Sequence, residues 1–186
     1  VGTLAIGQTL VILTAGIDLA VGAICVLGTI VAGKLVLLGY DPVLSMLFAL
    51  ILCTLSGLTA GLLVSRLDLP PFIVTLGTLG ILTATLRLIS KGGAFPVQDS
   101  FLGLTGNTFR VGGFVLTYGV LAMLLLYAMV WYLLNETRWG RHVYAIGNNP
   151  EAARLVGIPI RPRLLQVYAF AGVIYGIPAW LALGRI

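Results

Sequence analysis

Long apolar runs, separated by short stretches rich in glycine, proline and charged residues, make up most of this chain. About six runs occur, and most approach the ~20 residues that a helix needs to cross a hydrocarbon core about 30 Å thick. They cover residues 1–15, 20–39, 43–64, 71–89, 113–134 and 166–184. These runs lack the alternation of a membrane barrel strand, so helices are the spanning structure that lipid permits. The pattern predicts an all-α integral membrane protein, a polytopic transmembrane helix bundle over residues 1–186.

Composition indicates that lipid surrounds these runs. Hydrophobic residues make up 59% of the chain and charged residues 9%, whereas soluble domains carry about 25% charged residues. The net charge of +5 is not gathered on an amphipathic or aromatic-interleaved stretch, so no nucleic acid partner is expected. Cys25 and Cys53 lie inside apolar runs, where thiols act as small hydrophobes and seldom pair. The chain lacks an initiator methionine and starts and stops within apolar sequence, so we expect a fragment of a longer protein.

Small residues recur inside the runs, which suits close packing of helices in a bundle. The examples are Gly57, Ala60 and Gly61 in one run and Gly77 and Gly80 in the next.

Arginine is concentrated in one of the two long loops, and this asymmetry predicts orientation. The segment 135–165 contains Arg138, Arg141, Arg154, Arg161 and Arg163, whereas 91–112 has only Lys91 and Arg110. By the positive-inside rule, 135–165 is a cytoplasmic loop and 91–112 is an extracytoplasmic loop. Alternation of the spans then places 65–70 inside as well. Lys34 and Arg87 are basic residues that do not fit this orientation. Both lie near the outer ends of their segments, where long side chains can reach the interface.

A short, well-capped helix is predicted at 149–157 inside the cytoplasmic loop. Asn149 is a preferred N-cap, Pro150 suits the first helical position, and Glu151 places negative charge at the positive end of the dipole. Gly157 is expected to take the left-handed closing conformation, and Pro159 prevents the helix from resuming. So short a helix is marginal alone, so it should pack against something. The packing surface would comprise Ala152, Leu155 and Val156, with Arg154 as a charged rim. Two interpretations stay open, a connector folded onto its own bundle and a docking helix for a cytoplasmic partner.

The stretch "AGIDLAVG" interrupts the first apolar region. Gly16 and Gly22 loosen the backbone, and Asp18 can cap a helix beginning at Leu19. A carboxylate is costly in lipid, so it should face protein, water or the interface. The break is either a tight turn at the cytoplasmic surface, or a discontinuity within the membrane whose end lines a transport cavity. A subunit contact is a third alternative.

Other polar groups inside the runs are candidates for a solute path. Thr75 and Thr78 share one helix face at i, i+3, and Gln8 lies in the middle of the first run. Hydroxyls in membrane helices usually form hydrogen bonds to their own backbone or to a neighbouring helix. These polar groups therefore have two interpretations, a structural role and a place along a solute path.

In the outer loop, Asp99, Asn107 and Arg110 are candidates for contact with an external partner, or ordinary solvated residues. The loop is too polar and glycine-rich to span the membrane, although it has room for a short surface helix. Arg138 and Arg141 flank Trp139, which suits the membrane interface. His142 has no metal-ligand neighbours at suitable spacing, and no catalytic triad, P-loop or paired carboxylate is found. We therefore expect no metal, no cofactor and no enzyme activity on this chain.

Four stretches together resemble a known family of membrane proteins. "EAARLVG" resembles the core of the cytoplasmic loop by which ABC importer permeases engage their ATPase subunits, although the rest of the longer motif is not evident. "AGIDLAVGAI", "PPFIVTLGTLGI" and "TRWGRHVYAIGNNPEAARLVGI" occur in the order expected of permeases similar to the ribose and xylose type of sugar importer. The resemblance runs over nearly the whole chain.

The resemblance implies a permease subunit that carries a monosaccharide or similar small polar solute into the cytoplasm by alternating access, in the bacterial inner membrane. It implies cytoplasmic ATPase subunits, a second permease chain and an extracytoplasmic sugar-binding protein as partners. It assigns the ATPase contact to Asn149, Glu151, Ala152, Ala153, Arg154, Leu155, Val156 and Gly157. The alternatives are an ion-coupled secondary transporter or channel, for which Asp18 is the candidate, and a structural partner of a second, transporting chain.

Overall fold

Helices form most of the chain in the computed structural model, which describes residues 1–91, 93, 100–103 and 106–184. The apolar helices are α1 (Gly2–Ile12), α2 (Val21–Leu37), α3 (Pro42–Arg66), α4 (Pro71–Ser90), α6 (Tyr118–Glu136) and α9 (Ile160–Leu183). The shorter elements are α5 (Ser100–Gly103), β1 (Thr108–Val111), β2 (Phe114–Thr117), α7 (Arg138–Asn148) and α8 (Pro150–Leu155). The all-α, polytopic architecture is confirmed, with one small hairpin added.

Each of the six predicted runs contains a helix, but not all six helices have spanning length. Of the described helices, α3, α4, α6 and α9 are long and apolar enough to cross a membrane, while α1 and α2 are shorter. The run 1–15 ends as a helix at Ile12, and the run 20–39 becomes helical at Val21. The long intervening break, 13–20, explains why these two helices are short.

Prolines and an aspartate mark the starts of three helices. Pro42, Pro71 and Pro150 are the first residues of α3, α4 and α8, respectively. At the first position of a helix the N–H has no partner within the helix, so its absence from proline costs nothing. Asp41 caps α3, accepting from the N–H groups of Val43 and Leu44 at 2.9 and 3.0 Å. These local signals fix where the chain enters each helix.

Helix α9 lies at the centre of the bundle and packs on α3, α2 and α1. Its closest partner is α3, because glycines let the two backbones approach. A Cβ placed on Gly57 would lie 2.4 Å from the Tyr168 carbonyl oxygen, and one on Gly172 would lie 2.7 Å from the Cys53 carbonyl oxygen. A Cβ on Gly61 would lie 2.8 Å from the Cβ of Tyr168. The prediction of close packing is therefore confirmed for the small residues of α3.

Helix α4 lies at the periphery, and there the same expectation is wrong. A Cβ on Gly77 or Gly80 would meet nothing within 4 Å among the described residues. Phe72, Ile73 and Ile81 are exposed on this helix. Among the described residues, no helix therefore packs closely against Gly77 or Gly80.

The segment 113–134 begins differently from its prediction. Residues 114–117 form the second strand of an antiparallel hairpin, in which Arg110 pairs with Val115. Gly112 and Gly113 form its turn, with φ of 53° and 91°, and two positive φ values are what a tight hairpin turn needs. The span therefore starts at Tyr118. The last run starts earlier than predicted, at Ile160 rather than 166, so Arg161 and Arg163 lie in the first turn of α9.

The two long loops lie at opposite ends of α9. A groove at one end is lined by the break at Thr14, the turn at Pro70, the start of α8 at Pro150 and the start of α9 at Ile160. We call this the α8 end. At the other end, Gly106, just before the hairpin, lies against the Gly184 carbonyl. We call this the hairpin end. This geometry agrees with the predicted separation of the loops, while their cytoplasmic and extracytoplasmic assignment stays a prediction.

Candidate functional site

The break at 13–20 starts with an ordered end to α1. The Gly16 N–H donates to the Val11 carbonyl at 3.1 Å, and the Ala15 N–H donates to the Ile12 carbonyl at 2.9 Å. This pair of bonds is the Schellman motif, whose left-handed position is usually glycine. Here it is Ala15, with φ of 59°. A non-glycine residue therefore holds an unfavourable conformation at the start of the break.

The break continues into the interior of the bundle. Ile24, in the first turns of α2, is level with Cys53, whose thiol donates to the Ile24 carbonyl at 3.3 Å. Cys53 lies roughly 20 Å before the end of α3 at about 1.5 Å rise per residue. Helix α2 thus begins well inside the bundle rather than at its surface. Non-helical backbone at this depth is tolerated where protein or a water-filled cavity surrounds it.

Asp18 lies in this interior part of the break and is 4% exposed. Its Oδ1 accepts from the Ala20 N–H at 2.8 Å, so it closes a local turn before α2. Helix α2 begins at Val21, not at Leu19 as predicted, and Ala20 occupies the N-cap position. Asp18 therefore does not cap the helix directly, because its hydrogen bond goes to the residue before the first turn.

Two tyrosines of α9 enclose the break. The Tyr175 hydroxyl lies beside the Asp18 carboxylate and 3.4 Å from Gln8 Oε1. The Tyr168 hydroxyl is buried and has no hydrogen-bond partner among the described residues. A Cβ on Gly16 would lie 2.9 Å from that hydroxyl. Gln8, Gly16 and Asp18 thus meet in one buried polar cluster between α1, the break and α9.

Of the remaining candidates for the solute path, one contacts the break and two do not. Thr75 is buried, and its hydroxyl lies 3.0 Å from the Ile17 carbonyl of the break and 2.9 Å from its own Pro71 carbonyl. Thr78 is turned to its own backbone, with its hydroxyl donating to the Val74 carbonyl at 2.9 Å. Gly22 is exposed in the first turn of α2. Thr75 therefore joins the cluster at the break, and Thr78 and Gly22 do not.

Tyr168 and Tyr175 were not singled out from the sequence. They are seven residues apart and so share one face of α9, together with the small residues Ala171 and Gly172. Two hydroxyl-bearing rings on the small-residue face of a membrane helix are the signal that could have identified them. The rings are large enough to reach across the gap that the helix break leaves.

Helix α8 has the end structure that the sequence predicted. The Asn149 side chain accepts from the Ala152 N–H at 3.0 Å. At the other end, Gly157 has φ of 83°, and the N–H groups of Gly157 and Ile158 donate to Arg154 and Ala153 carbonyls at 3.0 Å each. This is a second Schellman motif, here with glycine at the left-handed position.

Helix α8 faces the bundle through Ala153, and the predicted apolar face is turned away from the bundle. Ala153 is buried at 3% exposure, whereas Leu155 and Val156 are 84% and 76% exposed. Ala152, Glu151 and Arg154 are exposed as well. Ala152, Leu155 and Val156 therefore do not pack on the bundle, because the helix turns Ala153 inward. If α8 were only a connector, Leu155 and Val156 would remain uncovered by the described residues.

Helix α7 connects α8 to the break. It was not predicted, although Val143 and Ile146 at i, i+3 are buried and Arg138 and Arg141 are exposed, an amphipathic pattern. Near its end, Gly147 lies against the break, since a Cβ there would be 1.9 Å from the Leu13 carbonyl oxygen. The next residues lead directly into the Asn149 cap of α8. The end of α7, directly before α8, therefore lies in close backbone contact with the start of the break.

The other residues that the sequence singled out are those of the outer loop and His142. Asn107 and Arg110 are exposed at the hairpin end, and Asp99 lies outside the described residues. His142 Nδ1 accepts from Arg163 Nε at 3.2 Å. In the described part of the chain, no group of three or more His, Cys, Asp or Glu could hold a metal ion.

The fold and these sites define a multi-pass helical membrane protein with a buried polar break and a projecting capped helix. The sequence profile of the family described as the branched-chain amino acid transport system, permease component, matches residues 1–183. The chain belongs to this family, and it is a multi-pass protein of the bacterial inner membrane.

Three relatives are similar over nearly all of this chain. The fructose import permease protein FrcC of Rhizobium meliloti is 45% identical over 192 residues, covering 100% of this chain and 53% of that protein. The ribose import permease protein RbsC of Bacillus subtilis is 32% identical over 186 residues, covering 100% and 57%. The galactose/methyl galactoside import permease protein MglC of Escherichia coli is 35% identical over 201 residues, covering 98% and 59%.

The chain thus spans somewhat more than half the length of these relatives. No solved structure matches it.

Proposed function

We propose that this chain is part of the membrane-spanning permease subunit of an ATP-driven importer, which moves a monosaccharide or similar small polar solute into the cytoplasm by alternating access. Family membership supports a transport role, and the relatives named for fructose, ribose and galactose support the substrate class. The single observation that carries the mechanism is the capped helix α8, which presents Leu155 and Val156 away from the bundle.

Helix α8 is the docking element for a cytoplasmic ATPase subunit. Burying Leu155 and Val156 in a groove of that subunit would contribute ~1.5–3 kcal/mol for each side chain. Glu151 and Arg154 flank this apolar pair on the exposed surface and would set its register. The Asn149 cap and the Gly157 turn hold the helix in shape before docking, which lowers the ordering cost of binding. ATP hydrolysis belongs to that separate subunit, and this chain carries no cofactor.

Docking is transmitted to the solute path through α7. When the ATPase subunits move α8, Gly147 moves against Leu13 at the start of the break. The break then shifts relative to Tyr168 and Tyr175 of α9, and the cluster of Gln8, Gly16, Asp18 and Thr75 opens or closes. Gly22 and Thr78, at the edge of this region, line the same path in other states of the cycle.

The polar cluster provides weak contacts for solute hydroxyls. Carboxylate, amide and phenol groups can each exchange an internal hydrogen bond for one to a sugar, so binding and release remain balanced. At the hairpin end, Asn107 and Arg110 would contact an extracytoplasmic sugar-binding protein, which supplies most of the selectivity. Asp99, in the same loop of the sequence, is a further candidate for this contact. A second permease chain, the same or a homologue, would complete the translocation path.

The test is a coupling measurement on the full-length protein, reconstituted with its ATPase subunit in vesicles. The double variant Leu155→Ala and Val156→Ala removes the proposed docking surface. We expect ATPase binding to weaken by roughly tenfold or more, since two apolar contacts worth over ~1.4 kcal/mol are lost. Solute uptake should fall in parallel. Leu67→Ala is the matched control, because Leu67 is 62% exposed at the same end and should leave both measurements unchanged.

Two results would overturn the proposal. One is unchanged ATPase binding and uptake in the double variant. The other is uptake driven by a proton or sodium gradient without the ATPase subunit, which would identify an ion-coupled transporter with Asp18 as the coupling group.

A further inference from the structure

An apolar cleft separates α6 from α9 along the outside of the bundle. Helix α6 packs on α1 and α7 rather than on α9. Toward the hairpin end the cleft has a volume of about 600 Å³ and is lined by Ala122, Met129, Ile177 and Leu181, among others. At the α8 end it continues as a groove of about 400 Å³ lined by Leu133, Trp139, Arg163, Gln166 and Phe170. Met129 and Leu133 are one helical turn apart, so the two parts follow one line.

The groove at the α8 end has aromatic walls. Trp139, in the first turn of α7, meets Phe170 of α9 edge to face, with ring centroids 6.1 Å apart and an interplanar angle of 82°. Tryptophan with one polar edge suits the boundary between hydrocarbon and headgroups. The groove therefore lies where an acyl chain would meet its headgroup.

A fixed guanidinium closes the top of the groove. Arg163 Nε donates to His142 Nδ1 at 3.2 Å, and its NH1 donates to Gln166 Oε1 at 2.7 Å. Its NH2 nitrogen has no acceptor among the described residues. Arginine carries five N–H donors in a planar fork that matches phosphate oxygens. The side chain is thus held in place with donors to spare.

Further positive charge lies on α7, the helix whose His142 accepts the hydrogen bond from Arg163. Arg138 is exposed next to Trp139 and lies on the same side of α7 as His142, at i, i+4. Arg141 is exposed one step further round the helix. In the part of the chain that the structure describes, none of these arginines forms an ion pair. Glu136 is the acidic residue of the stretch 133–147, so the surface keeps a net positive charge.

We propose that this cleft binds one anionic phospholipid of the bilayer, with its phosphate on Arg163 and Arg138 and an acyl chain between α6 and α9. Charge complementarity selects the anionic headgroup, because the basic residues stand at one end of an otherwise apolar surface. The apolar lining and the length of the cleft favour a lipid over a free phosphate ion. Lipid in this position would fill the space between α6, which carries α7, and the central helix α9.

The experiment measures lipid binding to the full-length protein in neutral detergent by native mass spectrometry. Dioleoyl phosphatidylglycerol is titrated beside dioleoyl phosphatidylcholine, and inorganic phosphate is added as a competitor. We expect at least one phosphatidylglycerol to bind about tenfold more tightly than phosphatidylcholine, and millimolar phosphate not to displace it. Arg138→Gln and Arg163→Gln should each weaken that binding by about tenfold, as the loss of a charge-assisted hydrogen bond predicts.

Three control variants separate site binding from general charge and from misfolding. Arg154→Gln makes the same charge change on exposed α8 and should leave lipid binding unchanged. Arg138→Lys retains the charge and should retain most of the binding. Met129→Trp fills the cleft and should weaken phosphatidylglycerol binding without changing the basic residues.

Four outcomes would overturn the proposal. They are equal binding of the two lipids, displacement by inorganic phosphate, equal loss with Arg154→Gln and Arg138→Gln, and a cleft filled by another segment of the full-length protein or by a second copy. The last outcome would appear in a Met129→Cys variant as a cross-link from position 129 to another protein segment.

Discussion

The break at 13–20 and helix α8 invert the usual distribution of polar and apolar groups. In the break, the carboxyl of Asp18 is 4% exposed inside an apolar bundle, whereas on α8 Leu155 is 84% exposed. A Schellman motif begins the break and another ends α8, with Ala15 and Gly157 at their left-handed positions. A buried polar group and an exposed apolar group each carry a cost. The two regions are joined by α7, whose Gly147 lies against Leu13 at the start of the break.

The largest effect is expected from removing the buried carboxylate. Asp18→Ala leaves the Ala20 N–H without its acceptor and leaves the Tyr175 hydroxyl with the Gln8 oxygen alone, and an unsatisfied buried group costs ~1–3 kcal/mol. We expect the unfolding free energy of the full-length protein in mild detergent to fall by about 2 kcal/mol or more. Asp18→Asn retains an acceptor oxygen and should cost less than half of that. Equal stability of Asp18→Ala and wild type would show that the buried cluster contributes nothing.

The second effect concerns the contact that joins the two regions. Gly147→Ala places a Cβ 1.9 Å from the Leu13 carbonyl oxygen, so α7 must move away from the break at a cost of ~1–3 kcal/mol. We expect uptake per ATP hydrolysed to fall while ATPase binding is retained. Gly77→Ala, on α4, is the control because its Cβ would meet nothing within 4 Å. Normal coupling in Gly147→Ala would remove α7 from the proposed transmission route.

A smaller effect should distinguish the two helix ends. Gly157→Ala forces a side chain into the left-handed region and should cost ~1–2 kcal/mol, seen as faster amide exchange in α8. Ala15→Gly removes that strain from the break and should be neutral or stabilising by up to about 1 kcal/mol, since glycine adopts this conformation freely. The expected result is a loss of stability for Gly157→Ala and no loss for Ala15→Gly. The same sign for both would contradict the left-handed assignment at one of them.

The smallest effect should come from the ion pair beside the break. Arg161 NH2 lies 2.8 Å from Asp68 Oδ2, with side-chain exposures of 61% and 70%. Exposed pairs contribute about 0–1 kcal/mol and are screened by salt. Asp68→Asn should therefore lower stability by less than about 1 kcal/mol, and the difference should disappear at high salt. A larger, salt-independent loss would mean that this pair has a role beyond the surface.

The apolar runs and the caps of α8 could be predicted because they depend on local sequence. Span length follows from run length, and Asn149, Pro150 and Gly157 each act on their own backbone. The hairpin was missed although "RVGGFV" carries its signal, an apolar alternation around Gly-Gly. There, the apolar strand was merged with the span that follows it.

The cluster around Asp18 could be predicted only in part, since it depends on contacts between distant segments. Tyr175 and Gln8 are 167 residues apart, and no local pattern joins them. Contacts between distant segments also decide that Ala153 of α8 faces the bundle and that Gly77 of α4 lies at its periphery. In each case the decisive quantity is which neighbour faces the residue, and that follows from the packing of the whole bundle.

The accessibility of residue 155 tests most directly whether α8 is a cytoplasmic docking helix. Leu155→Cys is introduced into a full-length variant without Cys25 and Cys53, and an impermeant maleimide is applied to vesicles of both orientations. If α8 is a cytoplasmic docking helix, we expect labelling from the cytoplasmic side alone, and protection when the ATPase subunit is bound. Labelling from the external side alone, or no protection by the ATPase subunit, would contradict it.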